Sequence, residues 1–99
     1  MAPQFDKTLL QKTRVGFLLV QSDRELNEKH VHAVEVHLCE NECEVEFHVV
    51  LTPRKDILVM FDDSNLTAKK KALLIETAEH SVKYAMLEFD LACKTTWLE

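Results

Sequence analysis

Val31-His32-Ala33-Val34-Glu35-Val36-His37-Leu38-Cys39, followed after Glu40-Asn41-Glu42 by Cys43-Glu44-Val45-Glu46-Phe47-His48-Val49-Val50-Leu51, decides the fold reading. In the first half Val34, Val36 and Leu38 alternate with Ala33, Glu35, His37 and Cys39; in the second Cys43, Val45, Phe47, Val49 and Leu51 alternate with Glu44, Glu46, His48 and Val50. Alternation of period two predicts strands with one buried and one wet face. Residues 31–39 and 43–51 therefore read as an antiparallel pair, with Asn41 suited to the turn because it tolerates positive φ. Opposite charges facing across strands stabilise and like charges destabilise. The favoured register sets Glu35 against His48 and His37 against Glu46, which tiles the wet face with alternating Glu and His.

Outward from this pair, residues 13–21 read as a strand apolar on both faces, Val15, Phe17 and Leu19 on one and Gly16, Leu18 and Val20 on the other. Such a strand belongs at the centre of a sheet or under a partner. Gly16 marks a bulge or a close backbone approach. Residues 22–30 are polar and read as a loop with at most one helical turn, Ser22 and Glu25 having capping-box spacing. Thr52-Pro53-Arg54-Lys55-Asp56 is a turn with Pro53 at its second position. Ile57 to Phe61 is continuously apolar and predicts a buried strand; Asp62-Asp63-Ser64-Asn65 supplies helix caps after it. At the N-terminus, Phe5, Leu9 and Leu10 lie near one side of a short helix over 4–12, with a leading strand as the alternative.

Residues 66–93 predict one long helix. At 100° per residue, Leu74, Ile75, Ala78, Val82, Ala85, Met86, Phe89, Ala92 and Cys93 form a broad stripe for the sheet. A second stripe, Leu73, Tyr84, Leu87 and Leu91 with His80 among them, lies nearly opposite. Such a helix would be about 42 Å long, against about 27 Å for an eight-residue strand. The second stripe has two readings: an interface with a partner, most simply the same helix of a second subunit, or a surface covered by the N-terminal segment. The fold expected is α+β: a single domain over residues 1–99, an antiparallel sheet of about four strands, mostly a meander, on a long C-terminal helix.

Composition removes several functions. The 99 residues carry a net charge of −5, which argues against a nucleic-acid groove. One glycine is too few for a phosphate-cradling loop, and no cofactor signature is present. The N-terminus has no signal-peptide pattern, and the apolar runs are too short to span a bilayer. Three cysteines, an odd count, fit reduced thiols in the cytoplasm better than a disulfide framework.

The residues therefore point first to a non-catalytic binding module, a homodimer joined through Leu73, Tyr84, Leu87 and Leu91, with a protein or small-ligand partner. The alternative is a small-molecule or metal-binding domain using the Glu35, His37, Glu46 and His48 face, with His37, Cys39 and His48 as metal candidates. A small enzyme using that face is the third reading, because His beside Glu can be tuned for proton transfer. Lys69-Lys70-Lys71 reads as a solvated rim or an anion site. Trp97 reads as a partner anchor or a pin holding the C-terminal tail to its own core.

Overall fold

The structure, a computed structural model, describes residues 16–41, 45–62 and 66–98. Its elements run β1 (Gly16–Ser22), α1 (Glu28–Glu40), β2 (Glu46–Leu51), β3 (Ile57–Asp62), α2 (Ala68–Leu87) and β4 (Cys93–Leu98). The four strands form one antiparallel sheet in the order β2-β3-β1-β4, and α2 packs on it. The fold is α+β. The β-α-β-β-α-β chain order with β1 and β3 side by side at the centre is the split β-α-β, ferredoxin-like arrangement. Many unrelated activities share that layout, so it carries no function by itself.

The doubly apolar strand sits where its composition requires. β1 pairs with β3 (Leu18↔Val59, Val20↔Ile57) and with β4 (Leu18↔Trp97, Val20↔Thr95). Leu18 and Val20 point to the helices and are fully buried. β3 is buried along its first five residues, as a continuous apolar run predicts. In β2, Phe47, Val49 and Leu51 pack on the core, while Glu46 and His48 are exposed. Among the described strands only β2 and β3 are neighbours both in sequence and in the sheet, so the sheet is not the meander expected: α1 carries the chain from β1 past β3 to β2, and α2 carries it from β3 past β1 to β4. The β2–β3 turn is closed by the Lys55 N–H on the Thr52 carbonyl (2.9 Å) and the Asp56 N–H on Thr52 Oγ1 (3.1 Å).

Residues 31–39 are not a strand. They lie in α1, which packs beside α2 on the same core. β2 pairs with β3 instead, Phe47 opposite Phe61 and Val49 opposite Val59. The helical start is fixed by Asn27: its side chain accepts from the Lys29 N–H (3.1 Å), and its own N–H donates to His30 Nδ1 (3.0 Å), a reciprocal capping box. Ser22, with its capping-box spacing to Glu25, instead ends β1, where its hydroxyl donates to the Ala92 carbonyl (3.0 Å). At the far end of α1, Asn41 Nδ2 donates to Ser81 Oγ (2.6 Å), whose hydroxyl donates to the Thr77 carbonyl (2.9 Å). This chain fixes α1 against α2 through a fully buried serine.

The C-terminal helix is shorter than its periodicity suggests. Thr67, not the acidic run before it, caps α2, and the helix stops at Leu87 rather than running to residue 93. Asp90 takes a left-handed φ of 57°, its N–H donates to the Leu87 carbonyl, and the Leu91 N–H donates back to the Met86 carbonyl (3.0 Å). Those paired bonds terminate a helix by reversing the chain. The freed segment becomes β4 and covers the second edge of β1, an edge that would otherwise present unpaired backbone groups. The expected N-terminal helix over 4–12 and residues 13–15 of the first strand lie outside the described residues.

Candidate functional site

α2 presents its apolar stripes as the helical spacing dictates. Thr67 Oγ1 accepts from the Lys70 N–H (3.2 Å) and sets the helix going. Leu74, Ala78, Val82, Ala85 and Met86 then turn inward and are buried. On the opposite side, Leu73, His80, Tyr84 and Leu87 fall within about 60° of arc at 100° per residue. Leu73 is 63% exposed, and Tyr84 and Leu87 are each 57% exposed. Tyr84 meets the His80 ring edge-on, centroids 6.5 Å apart. Leu91 does not belong to this exposed row. It has left the helix and is 5% exposed within the core.

Leu91 also contributes to a surface groove of about 490 Å³ between the end of α2 and the start of β4, lined with Glu79, His80, Lys83, Leu87 and Cys93 among others. One wall is braced by the Thr95 hydroxyl donating to Glu79 Oε2 (2.9 Å). Burial pushes the Cys93 thiol above its ordinary pKa, with Lys83 pulling weakly the other way. A thiol held in its neutral form is a poor nucleophile.

The expected Glu/His face is not assembled. Because residues 31–39 are helical, Glu35 and His37 lie on α1, on the helix side of the sheet. Glu46 and His48 alternate with the core-packed Phe47 and Val49, so they lie on the opposite side. His37 Nε2 instead contacts Glu88 Oε1 at 2.7 Å, tying α1 to the turn after α2. His48 pairs at 3.8 Å with Glu46 of its own strand, and both are largely exposed. Cys39 is exposed on α1. His37 and Cys39 are thus separated by the sheet from His48. Among the described residues no group of three or more His, Cys, Asp or Glu side chains is placed to hold a metal ion. Cys43 lies outside those residues.

Trp97 stacks on Phe61 at 5.8 Å and packs against the core, pinning β4 to the rest of the chain. Lys69 and Lys70 are exposed at the start of α2. On the sheet face away from the helices, Phe17 lies between Met60 and Leu98, and Leu19 between Leu58 and Thr96. Leu58 and Met60 are almost fully buried there.

Sequence reasoning had isolated Leu73, Tyr84 and Leu87. The groove is not visible in the helical spacing, because a helix drawn to residue 93 places Cys93 on the stripe facing the sheet. The signal was present in Thr95-Thr96-Trp97, a β-branched and aromatic run that favours a strand. Among the described residues, no helix is long and apolar enough to cross a membrane. No family model matches the chain, and neither a curated protein nor a solved structure matches it.

Proposed function

We propose that the chain is a non-catalytic binding module that self-associates, helix against antiparallel helix, through the outward face of α2. The observation carrying this reading is that three large apolar side chains, each more than half exposed, share one stripe of a 20-residue helix. A twofold axis makes a stripe its own complement. With the axis at His80, Leu73 of one copy meets Leu87 of the partner subunit, and the match recurs on the other side of the axis.

Charge supports the same arrangement. The exposed Lys69 and Lys70 open the helix, where positive charge is unfavourable, while Glu88 and Asp90 follow its end, where negative charge is unfavourable. Antiparallel pairing brings the lysines of each copy beside the acids of the other and offsets both penalties. The odd cysteine count favours a reducing, cytoplasmic setting for this assembly.

Sedimentation equilibrium tests the reading. The unmodified chain is expected at twice its single-chain mass, and Leu87→Glu or Tyr84→Glu at the single mass with unchanged circular dichroism. An unmodified chain that stays monomeric up to about 1 mM, the scale of a very weak complex, overturns it.

A second reading has its own observation. The groove beside Leu91 falls within the size range of small-molecule sites, about 300–1,000 Å³, and its lining mixes Leu87, Leu91 and Ala92 with Glu79, His80 and Lys83. This supports a small amphiphilic ligand there rather than on the sheet. Thr95→Val, which removes the bond to Glu79 without touching the exposed stripe, should weaken ligand binding and leave the mass unchanged.

A further inference from the structure

We propose that the first turn of α1 is an acid-released latch that holds the α2–β4 connection through His30. The capping geometry carries this. The Asn27 N–H donates to His30 Nδ1, so that nitrogen must be unprotonated and the ring hydrogen must sit on Nε2. Placing a proton on Nδ1 sets two donors against each other 3.0 Å apart and ends half of the capping box.

The same ring touches the opposite element. Its centroid is 4.6 Å from that of Phe89, edge-on, and the ammonium of Lys29 lies 5.7 Å from the Phe89 centroid. His30 is thus a single buried side chain that closes the start of α1 and bears on the turn leaving α2. Beyond Phe89 the chain continues into Leu91, Ala92 and Cys93, the wall of the groove.

The charged groups around the ring favour its neutral form. Lys29 on α1 and Arg24 on the β1–α1 loop both oppose a second positive charge, and burial opposes it more strongly, so the pKa lies below the ordinary 6.5. On the α2–β4 turn, Glu88 is engaged by His37, and Asp90 offers its backbone carbonyl to Arg24 (2.9 Å). Glu25 and Glu28 are exposed on the loop and first turn. Lys55 of the β2–β3 turn contributes its carbonyl to the Leu26 N–H (3.0 Å). Acidification therefore charges a ring whose acceptor nitrogen is in use. The latch opens at the Asn27 N–H, and the ring that bears on Phe89 loses its anchor to the start of α1.

The test is a titration followed by nuclear magnetic resonance and amide exchange, from about pH 7.5, above the ordinary range of histidine, downward until the His30 ring has titrated. In the unmodified chain, protonation of His30 should coincide with a change in the Phe89 ring signals. Protection of the Asn27 amide, corrected for intrinsic exchange, should fall about fivefold, the typical worth of one cap. His30→Gln keeps a side-chain acceptor at the capping position without a titrating group, and its Asn27 protection should not vary with pH. His32→Gln, on the exposed side of α1, should behave as the unmodified chain does. If His30 titrates while the Asn27 amide and the Phe89 ring stay unchanged, the latch is refuted. The titration uses the unmodified chain, so this outcome can be read even if His30→Gln does not fold.

Discussion

Gly16 and Trp97 are packed so closely that a methyl group on Gly16 would sit 2.6 Å from Cζ2 of the indole and 2.7 Å from the Leu98 carbonyl oxygen. The glycine also holds φ at 146°, where side-chain-bearing residues rarely go. Gly16→Ala meets both costs, overpacking and backbone strain, and should destabilise the chain by about 2–4 kcal/mol. Urea denaturation followed by Trp97 fluorescence measures this at the contact itself. A midpoint unchanged from the native chain would mean that β4 does not pack on β1 as described.

Two valines separate the helical reading of residues 28–40 from the extended one. Val34 and Leu38 are four apart, a spacing that suits one face of a helix and one face of a strand alike. Both are fully buried, so neither distinguishes the two. Val36 does: a strand would bury it with them, and it is 37% exposed. Val34→Ala should cost about 2 kcal/mol through the cavity it leaves. Val36→Ala should be neutral or slightly stabilising, because alanine is the better helix former. Equal losses at both sites would favour the strand.

The same two valines show why the sequence was legible only in part. Period-two alternation correctly described β2, where only one residue in two meets the core, and the continuous apolar runs of β1 and β3 marked the centre of the sheet. It failed over 31–39 because the decisive contributions came from Val31, Ala33 and a histidine. His30 acts as cap and core at once, a role that hydropathy does not register. The candidate surface was legible for the complementary reason: exposed Leu73, Tyr84 and Leu87 break the amphipathic pattern of a helix whose other stripe already fills the core.

Asp90 shows where periodicity overran. The apolar spacing continued through Phe89, Ala92 and Cys93, but the helix stops because the backbone reverses at a left-handed residue. Aspartate tolerates that conformation less well than glycine, and its charge sits at the unfavourable end of the helix dipole. Arg24 binds the Asp90 carbonyl, which a substitution retains. On the Leu87→Glu background, where no partner's lysines face the carboxylate, Asp90→Gly should therefore raise stability by about 0.5–1 kcal/mol. A loss measured by thermal or denaturant unfolding would show that the carboxylate makes a contribution beyond the turn.

Stability should also depend on pH with a definite sign. His30 has a folded pKa below its unfolded value of 6.5, chiefly through burial and secondarily through Lys29 and Arg24. The unfolded chain then binds the proton more readily. The stabilisation from a neutral His30 is present above pH 6.5 and is lost as pH falls through the lowered folded value. Denaturant midpoints for the native chain should decline over that interval more steeply than those for His30→Gln. Parallel curves would assign the decline to other groups.

The two described cysteines should differ in reactivity for reasons visible in their surroundings. Cys39 is exposed on α1, whereas Cys93 is half-buried at the start of β4. Burial raises the Cys93 pKa, and Lys83 only partly opposes it. Since the thiolate is the reacting species, Cys93 has both a smaller reactive fraction and a narrower approach. Alkylation with iodoacetamide near pH 8, followed peptide by peptide in a mass spectrometer, should modify the exposed Cys39 faster than Cys93. Under denaturing urea the two rates should converge, because burial then no longer separates the thiols. If Cys93 reacts first in the folded chain, the start of β4 opens far more readily than its pairing with β1 implies.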